Sequence, residues 1–518
     1  MLIRKFSHSF CVVTNDQNIQ KATLAYYNRL TTYKFGKGKG GKKEKDKVFA
    51  SANIARTHFR MLNASYESYM CHLSMWGIDI TRFKFETVKS YTPAPAKMKC
   101  IFPYPLRPKQ VEIKDFILEP TPLTNAPDVA STVPLQMGGG KTLISLYIAA
   151  MMGVRVMVEV SRKYYPNWEK NICGDERKLD VDPKDVLFIA STNDLIRALK
   201  NARDKYVKFD YKVIICTKGV VSTFVSSYVR EPDKFKAYGI KVEDLYKTLQ
   251  VGLVIRDEAH EELWGIANQD LHLHRPLTIN LSATLEYDDH TVNEMAKLVF
   301  PIKRRYDGGA WNKYVDVLAL HYNLLLPTKL KWQLYKTAPY SQAEFEKSII
   351  KNKKALANYL EMTTQMVQQY FIDIHEPGDV CAVYSHTIEM CTLITNKLND
   401  EFNNLVVNRY VGEDNYENLM KSDIVVTTPG SGGTGVDIKG LRLVLMLCAI
   451  KSSQKNYQIE GRLRELFDLD RNGNVKSTTF CYGVCDTIPQ QVDYHKFKKQ
   501  KFLNKVKSHG EVFTPYLI

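Results

Sequence analysis

Two short stretches carry the residue types needed to cleave a nucleoside triphosphate: Gly138-Gly139-Gly140-Lys141-Thr142 and, well downstream, Asp257-Glu258-Ala259-His260. Three consecutive glycines have no Cβ, so backbone N–H groups can turn inward around a polyphosphate. The Lys141 ammonium can then reach the terminal phosphates, and the Thr142 hydroxyl can hold Mg²⁺. Asp257 is suited to hold the same Mg²⁺, directly or through water, and Glu258 to orient and deprotonate the attacking water. Either stretch alone could be a solvated strand end. Their order, and the apolar run ahead of each, sets them apart.

Such groups need a rigid scaffold. From about Tyr104 the sequence alternates apolar strands with helical segments: Val154–Val160, Val186–Ala190, Val213–Thr217, Gly252–Arg256 and Leu277–Leu281. Continuous apolar runs of this length suit strands buried on both faces of a parallel sheet. The chemically loaded residues follow the carboxyl ends of strands, where open α/β sheets bind ligands. The pattern becomes irregular near 286–345 and resumes with Val380–Ser385, Asn404–Tyr410, Ile424–Thr428, Leu441–Ile450 and Thr478–Val484. The fold class expected is α/β, with two tandem parallel-sheet domains and a small α+β accessory domain ahead of them. The boundaries expected are 1–100 for the accessory domain, 101–312 and 313–490 for the α/β domains, and 491–518 for a basic tail.

The accessory region holds Lys34, Lys37, Lys39, Lys42, Lys43, Lys45 and Lys47 interleaved with Gly36, Gly38, Gly40 and Gly41, which predicts a loop, either a linker or a phosphate-backbone contact. Ala52–Trp76 has helical periodicity, and Lys84–Ile101 reads as extended. A net charge of +16 favours an acidic partner, nucleic acid being the commonest. The 10 cysteines are scattered without a CxxC pair, as expected of reduced, buried thiols. No apolar run is long enough to span a bilayer. His8, Asn15 and Asp16 break any secretory core after Met1–Phe6. These features predict a monomeric protein of the cytoplasm, or of the host-cell interior if viral, with no membrane partner. His272 and His274 alternate as on a strand but lack nearby metal-ligating carboxylates or thiols.

Three further motifs follow the acidic one: Ser282-Ala283-Thr284 after another strand, Gly432-Gly433-Thr434-Gly435-Val436-Asp437, and Gln458-Ile459-Glu460-Gly461-Arg462-Leu463-Arg464. Upstream lies Leu106-Arg107-Pro108-Lys109-Gln110. The ordered set, over about residues 104–490, resembles superfamily 2 helicases and translocases of the DEAH-lettered kind. Within that superfamily the chain looks most similar to compact viral members, such as phage branch-migration helicases and the poxviral transcript-release helicase. The resemblance implies two RecA-like domains with ATP and Mg²⁺ in the cleft between them. Arg107 and Gln110 would recognise adenine. Gly435, Asp437, Gln458, Arg462 and Arg464 would come from the second domain, with Arg464 favoured as the arginine that reaches the γ-phosphate. His260, Ser282 and Thr284 would couple hydrolysis to movement. Two departures stand out: Leu135 at the first position of the phosphate loop, and arginines spaced as Gly461-Arg462-Leu463-Arg464 rather than with two residues between them.

By the same resemblance, Ser161, Arg162 and Thr217 in the first domain, and Ser385, His386 and Thr428 in the second, would contact the nucleic-acid backbone. Hydroxyl and basic groups suit phosphate contacts that position without reading sequence. The function implied is an ATP-dependent helicase or translocase, on DNA more than RNA, working with replication, recombination or transcription proteins. The alternative is an ATP-dependent clamp or transcription-complex remodelling factor that separates no strands. A P-loop kinase or transferase leaves the Gln458–Arg464 motif without a role, and no nuclease motif is present.

Overall fold

The computed structural model describes residues 1–35, 43–102, 104–120, 130–135, 139–237, 239, 241–283, 285, 287–307, 314–335, 338–412, 414–432, 438–503 and 505–518. The chain divides into two units, Met1–Leu135 with Gly139–Gly308, and chiefly Gly309–Ile518.

In the first unit, six described strands form a parallel sheet in the order Val186–Ile189, Val213–Thr217, Val156–Val160, Leu253–Arg256, Leu277–Ser282, Ala130–Pro134. Side-chain alternation along one strand feeds two cores. Val156, Val158 and Val160 join Ile113 and Ile117 of the helix Pro108–Leu118, Ile144 and Ile148 of Lys141–Met152, and Trp168 of Tyr165–Ile172. Met157 points the other way, to Leu195 and Leu199 of the helix Thr192–Arg203 and Phe224 of Lys218–Arg230. Covered on both faces, the strands are mostly apolar, and the exceptions, such as Glu159 and Arg256, are buried too.

The accessory region is α+β, as expected. Its mixed sheet runs in the order Ala50–Ala52, His58–Leu62, Ser9–Val13, Leu2–Lys5, Lys84–Thr87, with only the last pair parallel. It does not bury its apolar face by itself. Phe10, Phe59 and Tyr69 share one core with Leu263, Ile266 and Leu271 of the helix Leu263–His272 and with Val299 of His290–Val299. Polar contacts seal the seam: the Ser9 hydroxyl and Arg60 Nη1 both donate to the Leu271 carbonyl, at 3.1 and 3.2 Å, and Arg60 Nη2 lies 2.6 Å from Glu243.

Two local expectations change here. Ala52–Trp76 is not one helix: His58–Leu62 is a strand burying Phe59 and Met61, and the helix spans only Tyr66–Met75. Over five residues, apolar spacings of two and of three to four overlap, so the pattern misleads. Thr31–Phe35 pairs antiparallel with Lys43–Val48, so Lys34, Lys43, Lys45 and Lys47 lie in strands rather than a loop. Glu44 and Asp46 alternate with the lysines, and Lys34 registers opposite Glu44, so the segment is less uniformly positive than its lysine count suggests. Gly36, Lys37, Gly38, Lys39, Gly40, Gly41 and Lys42 lie outside the described residues.

In the second unit, seven described strands form a parallel sheet in the order Val407–Tyr410, Ile424–Thr427, Val380–Tyr384, Leu441–Met446, Thr478–Cys485, Val315–Asn323, Ser508–Leu517. Cys381 and Val383 pack with Phe345 of the helix Gln342–Lys351, Tyr359 and Met366 of Lys353–Tyr370, and Ile394 of Ile388–Glu401. Ala382 and Tyr384 pack with Tyr457 and Ile459 of Ser453–Glu460 and with Phe502 of Pro489–Phe502. Each unit is thus a RecA-like α/β layer sandwich, as expected. The closing basic segment is not a tail: it is the helix Pro489–Phe502 and the edge strand Ser508–Leu517. Lysine there hides structure because its aliphatic stem packs; Lys498 is buried, its ammonium over the Tyr482 ring.

Phe59 is fully buried in the shared core of the first unit. Phe59→Ala is therefore expected to lower unfolding free energy by about 3–5 kcal/mol, read by urea denaturation. Deleting residues 1–100 bares Leu263, Ile266 and Leu271 and is expected to give aggregated rather than monodisperse protein in gel filtration.

Candidate active site

The strand Leu253–Arg256 ends where a buried polar network holds it. Arg256, 1% exposed, reaches Glu159 at 3.2 Å, Gln269 at 2.6 Å and Asp270 at 3.1 Å, and the Tyr246 hydroxyl donates to Glu159 at 2.5 Å. Arg275 pairs with the same Asp270 oxygen. This network fixes the next residue, Asp257, whose N–H donates to the Glu159 carbonyl at 3.0 Å. Asp257 Oδ2 accepts from Trp168 Nε1 at 2.9 Å, and Oδ1 accepts from the Glu258 N–H at 3.0 Å.

Glu258 takes a left-handed backbone conformation, φ 44°, which costs a non-glycine residue free energy and swings its side chain toward the neighbouring strand ends. Its Oε1 lies 2.8 Å from Lys141 Nζ. Its Oε2 is 3.3 Å from His260 Nδ1 and 3.4 Å from the Ala283 N–H. His260 Nδ1 is also 2.8 Å from the Ser282 hydroxyl, and the Leu135 N–H donates to the Ser282 carbonyl at 2.9 Å. The lysine, acidic and serine motifs therefore meet at adjacent strand ends.

Lys141 opens the helix Lys141–Met152, capped by Gly140 in the left-handed region at φ +79°. A Cβ at Gly140 would stand 2.2 Å from Gln110 Nε2, so a side chain there would be strained by its φ and would displace the Gln110 amide. Gln110 is buried, and its Oε1 accepts from the Arg107 N–H at 3.0 Å. Residues expected to read the base and to bind phosphate are thus packed together. The donor set fits a magnesium–triphosphate: a helix N-terminus and an ammonium for phosphate oxygens, and the hard oxygens of Asp257 and Thr142 for the cation.

Charge is finely divided between the paired carboxyls. Burial raises the Asp257 carboxyl above its ordinary value, and the adjacent Glu258 raises it further against the opposing pull of Lys141. For Glu258 burial acts the same way, but Lys141, His260 and Lys218 override it and bring the group down to about 2. Burial also lowers His260 below its ordinary value, against the opposing pull of Glu258 and Glu261.

Two residues here were not predicted. Lys218, 2% exposed, donates from Nζ to the Glu258 carbonyl at 2.8 Å; its signal in sequence is a lysine directly after the strand Val213–Thr217. Trp168, which orients Asp257, reads in sequence only as one apolar helix position.

The other expected residues are distributed as follows. Ser161 donates to Glu261 at 2.9 Å, while Arg162 is exposed. Thr217 caps the helix Lys218–Arg230, its hydroxyl 3.4 Å from the Ala190 carbonyl. In the second unit, the Ser385 hydroxyl is fully buried and donates to Glu346 at 3.0 Å, so it does not face a ligand. Glu346 also accepts from the His386 and Thr387 N–H groups at 2.8 and 2.7 Å, leaving the His386 side chain exposed. Thr428 closes a turn with Ser431 at 3.2 Å. Arg462 is 2% exposed, and Arg464, half-buried, donates to the Gly461 carbonyl at 2.8 Å; Gln458 lies one turn earlier on the helix Ser453–Glu460. His272 ends a helix instead of alternating along a strand. Gly138, Thr284, Gly435 and Asp437 lie outside the described residues. Among those described, no helix is long and apolar enough to cross a membrane.

No family model matches the sequence, and no curated protein matches it. Among solved structures, Dbp5 of S. cerevisiae bound to RNA and ADP BeF3 is 14% identical, with 79% of this chain and 94% of that one covered and a TM-score of 0.45. The helicase domain of Pyrococcus furiosus Hef is 14% identical, covering 76% and 98%, at 0.41. T4 UvsW is 13% identical, covering 99% and 100%, at 0.35. Likeness this low leaves the chemistry to be argued from the residues themselves.

Glu258 carries a pH signature. A carboxyl depressed on folding contributes stability above its unfolded value and loses it as pH falls through the folded one. The stability lost in Glu258→Gln is therefore expected to be greatest above the ordinary 4.5, to shrink below it and to vanish near 2, read by urea unfolding across that range.

Proposed function

We propose that the chain is an ATP-dependent motor on nucleic acid, a helicase or translocase of the superfamily 2 kind acting on DNA more than RNA. The observation that carries this is the 2.8 Å approach of Lys141 to Glu258 beside Asp257, at the mouth of a helix whose cap packs on Gln110. When bound, ATP with Mg²⁺ would supply the phosphoanhydride to be cleaved and a divalent charge to offset its negative oxygens. Lys141 and the amides opening its helix would bind the terminal phosphates; Asp257, oriented by Trp168, and Thr142 would hold the cation. Glu258 takes the proton of the attacking water on its carboxylate. In contact with Lys141 it is a weak base. A phosphate that draws the ammonium away removes the cation that depresses it, so its basicity rises when substrate is in place. His260 and Ser282 relay the change between adjacent strand ends.

By the family resemblance, Arg462 and Arg464 would stabilise charge developing on the triphosphate, and Gln458, Gly435 and Asp437 would contribute to ATP binding. Arg464 is the cleaner test because it is less buried. The net charge of +16 supports a polyanionic partner, and exposed Arg162 and His386 are the better candidates for phosphate contact than buried Ser385.

Polynucleotide is expected to stimulate ATP hydrolysis. Lys141→Ala should abolish turnover while leaving salt-sensitive polynucleotide binding. Glu258→Gln should cost about 10²–10⁴ in turnover, and Arg464→Ala about 10³–10⁵. Hydrolysis indifferent to polynucleotide would refute the motor. A forked-duplex displacement assay then separates helicase from clamp: stimulated hydrolysis without displacement favours translocation or remodelling. Arg162→Ala should reduce the salt slope of binding by about 1.

A further inference from the structure

In the second unit, the geometry points to a divalent-metal site of the zinc class, built from His321, His495 and Glu511. His321 lies on the strand Val315–Asn323, His495 on the helix Pro489–Phe502, and Glu511 on the edge strand Ser508–Leu517. One ligand atom from each falls within 4.8 Å of the others. His321 Nε2 is 3.7 Å from Glu511 Oε2, and His495 Nε2 is 3.4 Å from Glu511 Oε1. Ligands about 2.0–2.1 Å from a tetrahedral zinc stand roughly 3.3–3.4 Å apart, so small side-chain rotations bring the set into range.

A plainer account makes Glu511 the partner of Lys499, whose Nζ is 2.6 Å from Oε1. That account leaves His321 unexplained. The residue is 5% exposed, and its buried Nε2 has no hydrogen-bond partner, a deficit native interiors rarely carry. Its Nδ1–H donates to Asp486 at 2.8 Å, which leaves the lone pair on Nε2, the atom nearest Glu511. An imidazole braced by a carboxylate in this way is the usual support of a metal-bound histidine. His495 is braced similarly: its Nδ1 is 3.0 Å from the Tyr482 hydroxyl, which in turn is 3.1 Å from His509 Nε2. Phe513 stacks on the His321 ring at 4.4 Å and fixes its plane.

Two imidazoles and one carboxylate suit zinc, whereas Mg²⁺ and Ca²⁺ take oxygen ligands. Three protein ligands leave the fourth position to water. The Glu511 side chain, 25% exposed, provides the way in, and Lys499, 45% exposed, can swing into solvent when the metal binds. The ion would clamp the edge strand and the helix Pro489–Phe502 onto the strand between them and the rest of the sheet.

The test uses the untagged full chain, loaded with Zn²⁺ and dialysed against metal-free buffer. It is expected to retain one zinc per chain by atomic emission, and Co²⁺ in its place should give the intense visible bands of tetrahedral coordination. Glu511→Gln, a same-sized change at a partly exposed position, should weaken zinc binding at least ~10-fold and remove the rise in melting temperature that zinc gives the wild type. His321→Ala should abolish binding; because that position is buried and could unfold the unit, Glu511→Gln, checked for native circular dichroism, decides the matter. A wild-type chain that retains no zinc, or equal affinity in wild type and Glu511→Gln, would overturn the site.

Discussion

Two neighbouring carboxyl groups at the end of a buried strand cannot both stay ionised unless positive charge and hydrogen-bond donors are delivered to them. The first unit is organised around that delivery. Lys141 arrives from the strand end at Pro134, Lys218 from the one at Thr217, Trp168 from the helix after Val160, and His260 from the turn itself. None of these groups is close to the others in sequence. A parallel sheet is the simplest way to bring them together, because it points every strand's carboxyl end in the same direction.

The same demand explains the polar layer beneath. Arg256 sits in the interior because Glu159, Gln269 and Asp270 satisfy it, and it anchors the strand whose next residue is Asp257. The left-handed Glu258 is tolerated there because both of its side-chain oxygens and its carbonyl are engaged. The helix Leu263–His272 supplies Gln269 and Asp270 to this layer on one side and Leu263, Ile266 and Leu271 to the accessory sheet on the other. The accessory region is therefore packed against the same helix that braces the Asp257–Glu258 turn.

Much of this is legible in the sequence because the constraints are local. Runs such as Val213–Thr217 and Leu277–Ser282 are strands because both faces are buried, and glycine at 140 is favoured by its positive φ. Composition misled where burial is shared or charge is ambivalent. Val315–Asn323 contains Asp316 and His321, so it does not read as a central strand, yet it pairs on both sides. The Phe59 face looks incomplete because its partners lie two hundred residues away. Ser385 illustrates the converse: a hydroxyl at a strand end looks available in sequence but is consumed by Glu346.

The pairing of Val315–Asn323 also bears on how the second unit is made. This strand emerges first of its sheet, but both of its neighbours, Thr478–Cys485 and Ser508–Leu517, come last. During synthesis it must wait, with both edges unpaired, while the whole of residues 324–477 leaves the ribosome. Its long-range closure makes it a slow step in folding, and an interval in which a chaperone holding that apolar segment would do the most good.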